Sequence, residues 1–208
     1  MFLSKDLIIR GYKKGIFPMS ESSDDPFIFW VSPEKRGIIE VDEFIVPKSL
    51  KKFIRKKKYS VKVNTNFSKV IKLCAKITKK REETWINNQI IENYIKLHTE
   101  GFASSFECYY NDELVGGLYG VKIGRIFFGE SMFSIKDNAS KVALVHLVAY
   151  LKQGQFKFID TQFITSHLRQ FGAKEVPKNK YINILKRNIS QKKNIPLKLN
   201  RDILEYFN

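Results

Sequence analysis

A chain of 208 residues with 43% apolar and 28% charged residues suits one compact domain with an appendage, or two small domains, and lies well outside the disordered class. The formal net charge of +16 favours a polyanionic partner, nucleic acid above all, although lysines scattered over the whole surface would produce the same sum. No run of about 18 apolar residues exists to span a bilayer, and MFLSKDLIIRGYKKG meets Asp6 too early for a secretory leader, so a cytoplasmic monomer with no membrane partner is expected.

Four of the six prolines, Pro18, Pro26, Pro33 and Pro47, fall within residues 1–60, between short strand-like runs such as FIFWVSP and RGIIEVDEF. A small, loop-rich N-terminal subdomain over 1–60 is therefore expected. SLKKFIRKKK reads as an amphipathic helix with Leu50, Phe53 and Ile54 inward. Its outward residues Lys51, Lys52, Arg55, Lys56, Lys57 and Lys58 form the densest basic run, fit for a nucleic-acid backbone or simply for solvent. KITKKREE and KNKYINILKRNISQKKN are further basic clusters.

From Tyr59 onward the pattern is regular. YSVKVN alternates as a strand, NFSKVIKLCAKITKK has helical spacing behind Asn66 as N-cap, and NNQIIENYIKLHTEG is a second helix stopped at Gly101. ASSFECYYN, ELVGGLYGVKIG and RIFFGESMFS read as a three-strand meander. NASKVALVHLVAYLKQGQ reads as an amphipathic helix opened by Asn138 and closed by Gly154; FKFIDTQF is a strand, TSHLRQFGAKEV a short helix ending near Gly172, and KYINILKRNI a final helix. This order predicts an α+β fold, with a mixed, largely antiparallel sheet flanked by helices, over residues 61–185, followed by a basic tail over 186–208.

Three polar residues in strand context carry the chemistry: Glu130 in GESMFS, and Asp160 and Gln162 in FIDTQF. Period-two alternation directs Asp160 and Gln162 to one face and Ile159 and Thr161 to the other. Buried carboxylates need partners. Either they meet Lys or Arg of the chain itself, or they form a site that receives a cationic group or handles an amine proton. Cys74 and Cys108 read as small buried hydrophobes, and His98, His146 and His167 have no ligand spacing, so neither a metal site nor a disulfide is expected. No phosphate-binding G-x-x-x-x-G-K-[ST] loop and no G-x-S-x-G elbow occur.

GYKKGIFPM, FWVSPEKRGII, VPKSL, FSKVIKLCA, TWI, YIKLHTEGFASSFECYYNDELVGGLYGVKIGRIFFGESMFS, NASKVAL and FIDTQFITSHLRQFGA, in that order between Gly11 and Tyr181, resemble the leucyl/phenylalanyl-tRNA–protein transferase family. The resemblance implies transfer of Leu, Phe or Met from aminoacyl-tRNA to the N-terminal Arg or Lys of a protein, which marks it for N-degron proteolysis. It also implies a GCN5-acetyltransferase-like catalytic domain behind the small N-terminal one. Aminoacyl-tRNA would be the co-substrate, with no cofactor. By matching position, Asp160, Gln162 and Glu130 would be the catalytic set, Asp160 acting on the acceptor amine through Gln162 and Glu130 orienting the substrates. Trp30 and Trp85 would bind the terminal adenosine. Phe127, Met132, Leu118, Leu144 and Leu147 would form the aminoacyl side-chain pocket, and the Lys51–Lys58 run would hold the tRNA backbone. Thr161 departs from the family pattern.

Three rivals remain at this level. A coenzyme A acetyltransferase would share the fold, but SIKDNASKVAL stands where its pyrophosphate loop belongs. The aminoacyl-tRNA transferases that build peptidoglycan bridges are usually larger, with a duplicated domain. A tRNA-binding protein without catalysis would need only the charge.

Overall fold

The computed structural model describes residues 3–79 and 82–208; Lys80 and Arg81 of the KITKKREE cluster lie outside them. In chain order the elements are α1 (Lys5–Lys13), β1 (Phe17–Met19), β2 (Phe29–Val31), β3 (Lys35–Glu40), α2 (Lys48–Arg55), β4 (Ser60–Val63), α3 (Phe67–Ala75) and α4 (Asn88–Thr99). The meander β5 (Ala103–Tyr110), β6 (Glu113–Ile123) and β7 (Ile126–Ser134) follows. Then come α5 (Ala139–Gln153), β8 (Phe158–Gln162), α6 (Ser166–Arg169), β9 (Lys174–Pro177), α7 (Lys178–Asn188) and a 3-10 helix, Ile203–Phe207.

β1 and β2 form a separate ribbon; the other seven strands make one sheet in the order β4-β5-β6-β7-β8-β3-β9. Every pair is antiparallel except β7 with β8, which α5 connects. A parallel pair needs such a crossover, and α5 supplies it with a long helix. α5 is not the amphipathic helix expected: its apolar residues recur on nearly every side, and ten of its residues are buried. It therefore packs as a core helix between the sheet and the chain end.

Two apolar layers cover the sheet. On one face α1, α3, α4 and α7 bury Ile8, Val70, Ile71, Ile90, Leu97 and Leu185 against Val121, Ile126 and Phe128. On the other, α2 and α5 bury Leu50, Ile54 and Val148 against Phe106, Phe127 and Ile159. Strand alternation sorts Phe127 and Phe128 to opposite layers.

Several expectations need adjusting. Lys35–Glu40 lies inside the main sheet between β8 and β9, so part of the 1–60 region builds the larger domain. The short helix α6 stops before Gly172, where its end was expected, and KEVP beyond it adds an unexpected strand, β9, by pairing with β3. Asn66 sits at the start of α3 without a capping side-chain bond. Glu107 on β5 replaces it, accepting from the Asn66 backbone N–H at 2.7 Å, from Ser105 Oγ at 2.8 Å and from Thr65 Oγ1. A carboxylate at a helix N-terminus is stabilised by the helix dipole. The end of the chain docks: Tyr206 and Gln153 hydrogen-bond, the Phe207 ring lies 5.7 Å from Phe44, and Lys51 Nζ donates to the Phe207 carbonyl at 2.9 Å. No helix among the described residues is long and apolar enough to cross a membrane.

Candidate active site

The two parallel strands part company halfway. β7 and β8 are paired through Ile126–Phe158, Phe127–Ile159 and Phe128–Asp160, and no further. Beyond that point β7 follows β6 to Ser134 while β8 follows β3 to Gln162. The sheet opens between them into a cavity of about 320 Å³, within the range of about 300–1,000 Å³ usual for ligand pockets.

A bulge aims Glu130 at this opening. Tyr119 faces Ser131 and Gly120 faces Gly129, so Glu130 is the extra residue on β7. Such bulges redirect a side chain. Gly120 permits it, because a Cβ there would lie 2.3 Å from the Phe128 carbonyl oxygen and 2.5 Å from the Phe127 ring. Glu130 Oε1 accepts from Tyr12 Oη at 2.6 Å and from Gln162 Nε2 at 3.0 Å, and Oε2 accepts from Tyr94 Oη at 3.1 Å. The two phenol oxygens are 2.5 Å apart. Burial, seconded by the Glu130 charge, holds both phenols well above their usual range, so they remain donors. Burial likewise raises the Glu130 carboxyl to about 7, and the donated hydrogen bonds only partly offset it.

Asp160 takes a different place. Its side chain is fully buried and does not line the cavity. Arg36, itself 1% exposed, binds it with two parallel bonds, Nε to Oδ1 and Nη2 to Oδ2, both 2.8 Å. The guanidinium carbon lies 4.5 Å from the Phe17 ring centroid and 4.7 Å from that of Tyr181, and Nη1 donates to the Gly15 carbonyl. Tyr181 Oη gives Asp160 a third donor at 2.5 Å. Burial, then the Asp160 charge, raises the Tyr181 phenol. Asp160 still reaches the site, because Oδ1 accepts the backbone N–H of Gln162 at 2.9 Å.

The regular alternation of β8 ends at its last residue. Gln162 has φ of 62°, a left-handed conformation that ends the strand's alternation, beside a register shift between Gly37 and Ile38 on β3. Thr161 and Gln162 both line the cavity, and the Gln162 amide reaches Glu130, whose phenol partners Tyr12 and Tyr94 share a core layer with the Asp160 partner Tyr181. The Thr161 hydroxyl oxygen is buried without a hydrogen-bond partner among the described residues.

The apolar wall gathers Leu118, Phe127, Met132, Leu144 and Leu147, all five residues expected there, with Ile39, Ile159 and Leu168 added. Trp85 lines the mouth; Trp30 does not, lying over α1 where a Cβ on Gly11 would come within 2.2 Å of its ring. The two tryptophan segments are tied together: Pro18 pairs with Trp30, and Ser20 Oγ donates to the Trp85 carbonyl at 2.7 Å. The basic run divides as well. Lys52, Arg55, Lys56, Lys57 and Lys58 are exposed, whereas Lys51 is held by the chain end.

Tyr12, Tyr94, Arg36 and Tyr181 were not among the expected site residues. Their signal was indirect: a carboxylate inside an apolar strand requires donors, and Arg36 opens the apolar run RGII.

Residues 38–186 match the sequence profile described as leucyl/phenylalanyl-tRNA protein transferase, and residues 1–34 match the profile of that transferase's N-terminal domain. Three relatives carry the name leucyl/phenylalanyl-tRNA–protein transferase. The protein of Paramagnetospirillum magneticum is 49% identical over 179 residues, 86% of each chain. That of Rhodopseudomonas palustris is 53% identical over 86% of this chain and 78% of its own. That of Nitrobacter winogradskyi is 50% identical over 88% of this chain and 81% of its own.

Proposed function

Since the chain belongs to the leucyl/phenylalanyl-tRNA–protein transferase family, and is thus an aminoacyltransferase, we propose that it moves Leu, Phe or Met from aminoacyl-tRNA to the N-terminal Arg or Lys of proteins destined for N-degron proteolysis. The observation that carries the reading is the meeting of an apolar cavity with Glu130 and Gln162 where β7 and β8 separate. The cavity takes the transferred side chain. Apolar walls that include a flexible Met suit unbranched and γ-branched chains, and exclusion of β-branched Val and Ile is worth about 1–3 kcal/mol per misplaced methyl.

The reaction is aminolysis of an ester. The neutral α-amine of the acceptor attacks the aminoacyl carbonyl, and the ribose hydroxyl of the terminal adenosine leaves. The ester is already activated, so placement and proton handling carry the rate. A protein α-amine ionises near about 7.7–8.0, close to the value of about 7 for Glu130. Glu130 is thereby suited to attract the acceptor as a cation and to exchange its proton. Gln162 fixes Glu130 from one side, and Asp160 contributes through the Gln162 backbone, with Arg36 holding Asp160 in place. Trp85 at the mouth, with Trp30 behind it, serves the terminal adenosine, and the exposed part of the Lys52–Lys58 run serves the tRNA backbone. The single parallel pair that opens beside its crossover helix supports the acetyltransferase-like reading of residues 61–185, to which β3 and α2 are added, with the residues before β3 as the smaller unit and 186–208 as the tail.

The test is transfer of labelled Phe from Phe-tRNA to Arg- or Lys-initiated peptides, beside acetyl-coenzyme A as donor. Transfer from the tRNA alone supports the reading; acetylation without aminoacyl transfer overturns it.

A further inference from the structure

A second concavity, about 690 Å³, lies outside the site. One wall is α3, from Asn66 and Ser68 to Lys76; the other is the loop around Ser23 and Asp24, with Asn88 at the start of α4. Asn87 and Gln89 pin that loop through the carbonyls of Asp25 and Pro26. Ile86 lies in this groove and its chain neighbour Trp85 in the cavity mouth, so one short segment borders both.

Three exposed lysines, Lys69, Lys72 and Lys76, line the groove from one side of α3, a helix with no carboxylate of its own. Helical spacing of three and four places them on one face, where like charges repel. Lysines that do have an acid within reach pair with it: Lys174 with Glu40 and Glu43, Lys178 with Glu34, Lys157 with Asp42. None of the three forms an ion pair among the described residues, and Asp24 is the one carboxylate lining the groove. A cluster of unneutralised cations in a concavity costs energy in the free protein, and a polyanion relieves that cost.

The position of the groove completes the argument. α2 packs on one face of the sheet and α3 on the other, with edge strand β4 between them. β4 itself carries a further exposed cation, Lys62, whose ammonium lies 4.8 Å from the Tyr109 ring centroid. The register row Val63–Phe106–Leu118–Met132 puts the α3 end of β4 level with the cavity, three strand spacings or about 14 Å away.

We propose that the α3 groove, through Lys69, Lys72 and Lys76, holds phosphodiester backbone of the tRNA whose aminoacylated end enters the cavity. The inference rests on the transferase reading and extends it to a contact surface outside the Lys51–Lys58 run. The test uses the full chain with K69Q/K72Q/K76Q, the charge-reversed K69E/K72E/K76E, and a charge-matched control, K180Q/K186Q/K192Q. Two donors are compared, Phe-tRNA and 3′-phenylalanyl-adenosine, which lacks the backbone. Losing about three phosphate contacts should make the log–log salt dependence of tRNA binding shallower by about 2–3. KM for Phe-tRNA should rise about tenfold or more, with turnover from phenylalanyl-adenosine unchanged and the control shifting less. Equal slopes in the α3 variants and wild type, or equal effects of the control, would overturn the proposal. So would a rise in the peptide KM alone, which would assign the groove to an acidic stretch of the acceptor protein. Wild type that uses neither donor would instead overturn the transferase reading, and this inference with it.

Discussion

Replacing Glu130 with Gln isolates the one carboxylate that faces the cavity. The amide fits the existing donors: its oxygen can accept from Tyr12 and Gln162, and its NH2 can donate to Tyr94 once that hydroxyl turns to Tyr12, 2.5 Å away. Folding raises the Glu130 carboxyl from 4.5 to about 7. A carboxyl that ionises later in the folded state than in the unfolded one contributes stability below the unfolded value, and that contribution is lost as pH rises through the folded value. At 1.36 kcal/mol per pH unit, and allowing for the solvent that enters the cavity, wild type should lose about 1–3 kcal/mol between pH 4.5 and 7.5 relative to Glu130→Gln. His146 runs the other way: burial on α5 lowers its imidazole to about 4, so folded stability falls as pH drops below 6.5. Both proteins carry His146, so the difference between them removes its effect. Urea denaturation at half-unit pH steps gives the two curves. Parallel curves from pH 4.5 to 7.5 would refute the claim that the site holds an ionisation-resistant carboxylate.

Arg36→Met should destabilise the fold by about 3–5 kcal/mol, because it leaves Asp160 buried without its cation; denaturant midpoints check this, and a cost below about 1 kcal/mol would contradict the clamp. Asp160→Ala strands Arg36 and should cost a similar amount, about 3–5 kcal/mol. Assayed at a temperature where circular dichroism shows it folded, it should still fail to transfer Phe to an Arg-initiated peptide, and wild-type turnover there would discard its role. Neutralising Lys52, Arg55, Lys56, Lys57 and Lys58 should flatten the salt dependence of tRNA binding by several units of slope. Lys51→Ala should instead act on stability, by about 1 kcal/mol, through the lost bond to the Phe207 carbonyl.

The helices and the meander were legible because period and punctuation agreed. The apolar spacing of SKVALVHLVAYL produces α5, and the turn residues Asn111 and Asp112, both at positive φ, separate β5 from β6 between the runs ASSFECYYN and ELVGGLYGVKIG. The apolar wall of the cavity was legible only through the family resemblance, since Leu118, Leu144 and Leu147 look like ordinary core. The left-handed backbone at Gln162 was not legible, because it accompanies a register shift on β3, a strand far away in the chain. Nor was the fate of the acids. GESMFS and FIDTQF look alike as carboxylates among apolar residues, yet Asp160 meets a guanidinium 124 positions earlier while Glu130 meets two phenols and an amide. Of the two readings open at the start, pairing within the chain describes Asp160, and Glu130 alone opens on a cavity.

The central claim is that the space between the separating strands receives the transferred side chain. Initial rates of transfer to one Arg-initiated peptide, from tRNAs charged with Leu, Phe, Met, Val or Ile, test it most directly when wild type is compared with Leu147→Phe, which adds bulk to the wall. The account predicts that wild type uses Leu, Phe and Met at least about tenfold faster than Val or Ile, and that the variant loses Phe before Leu. Equal use of Val, or an unchanged order of donors in the variant, would contradict it.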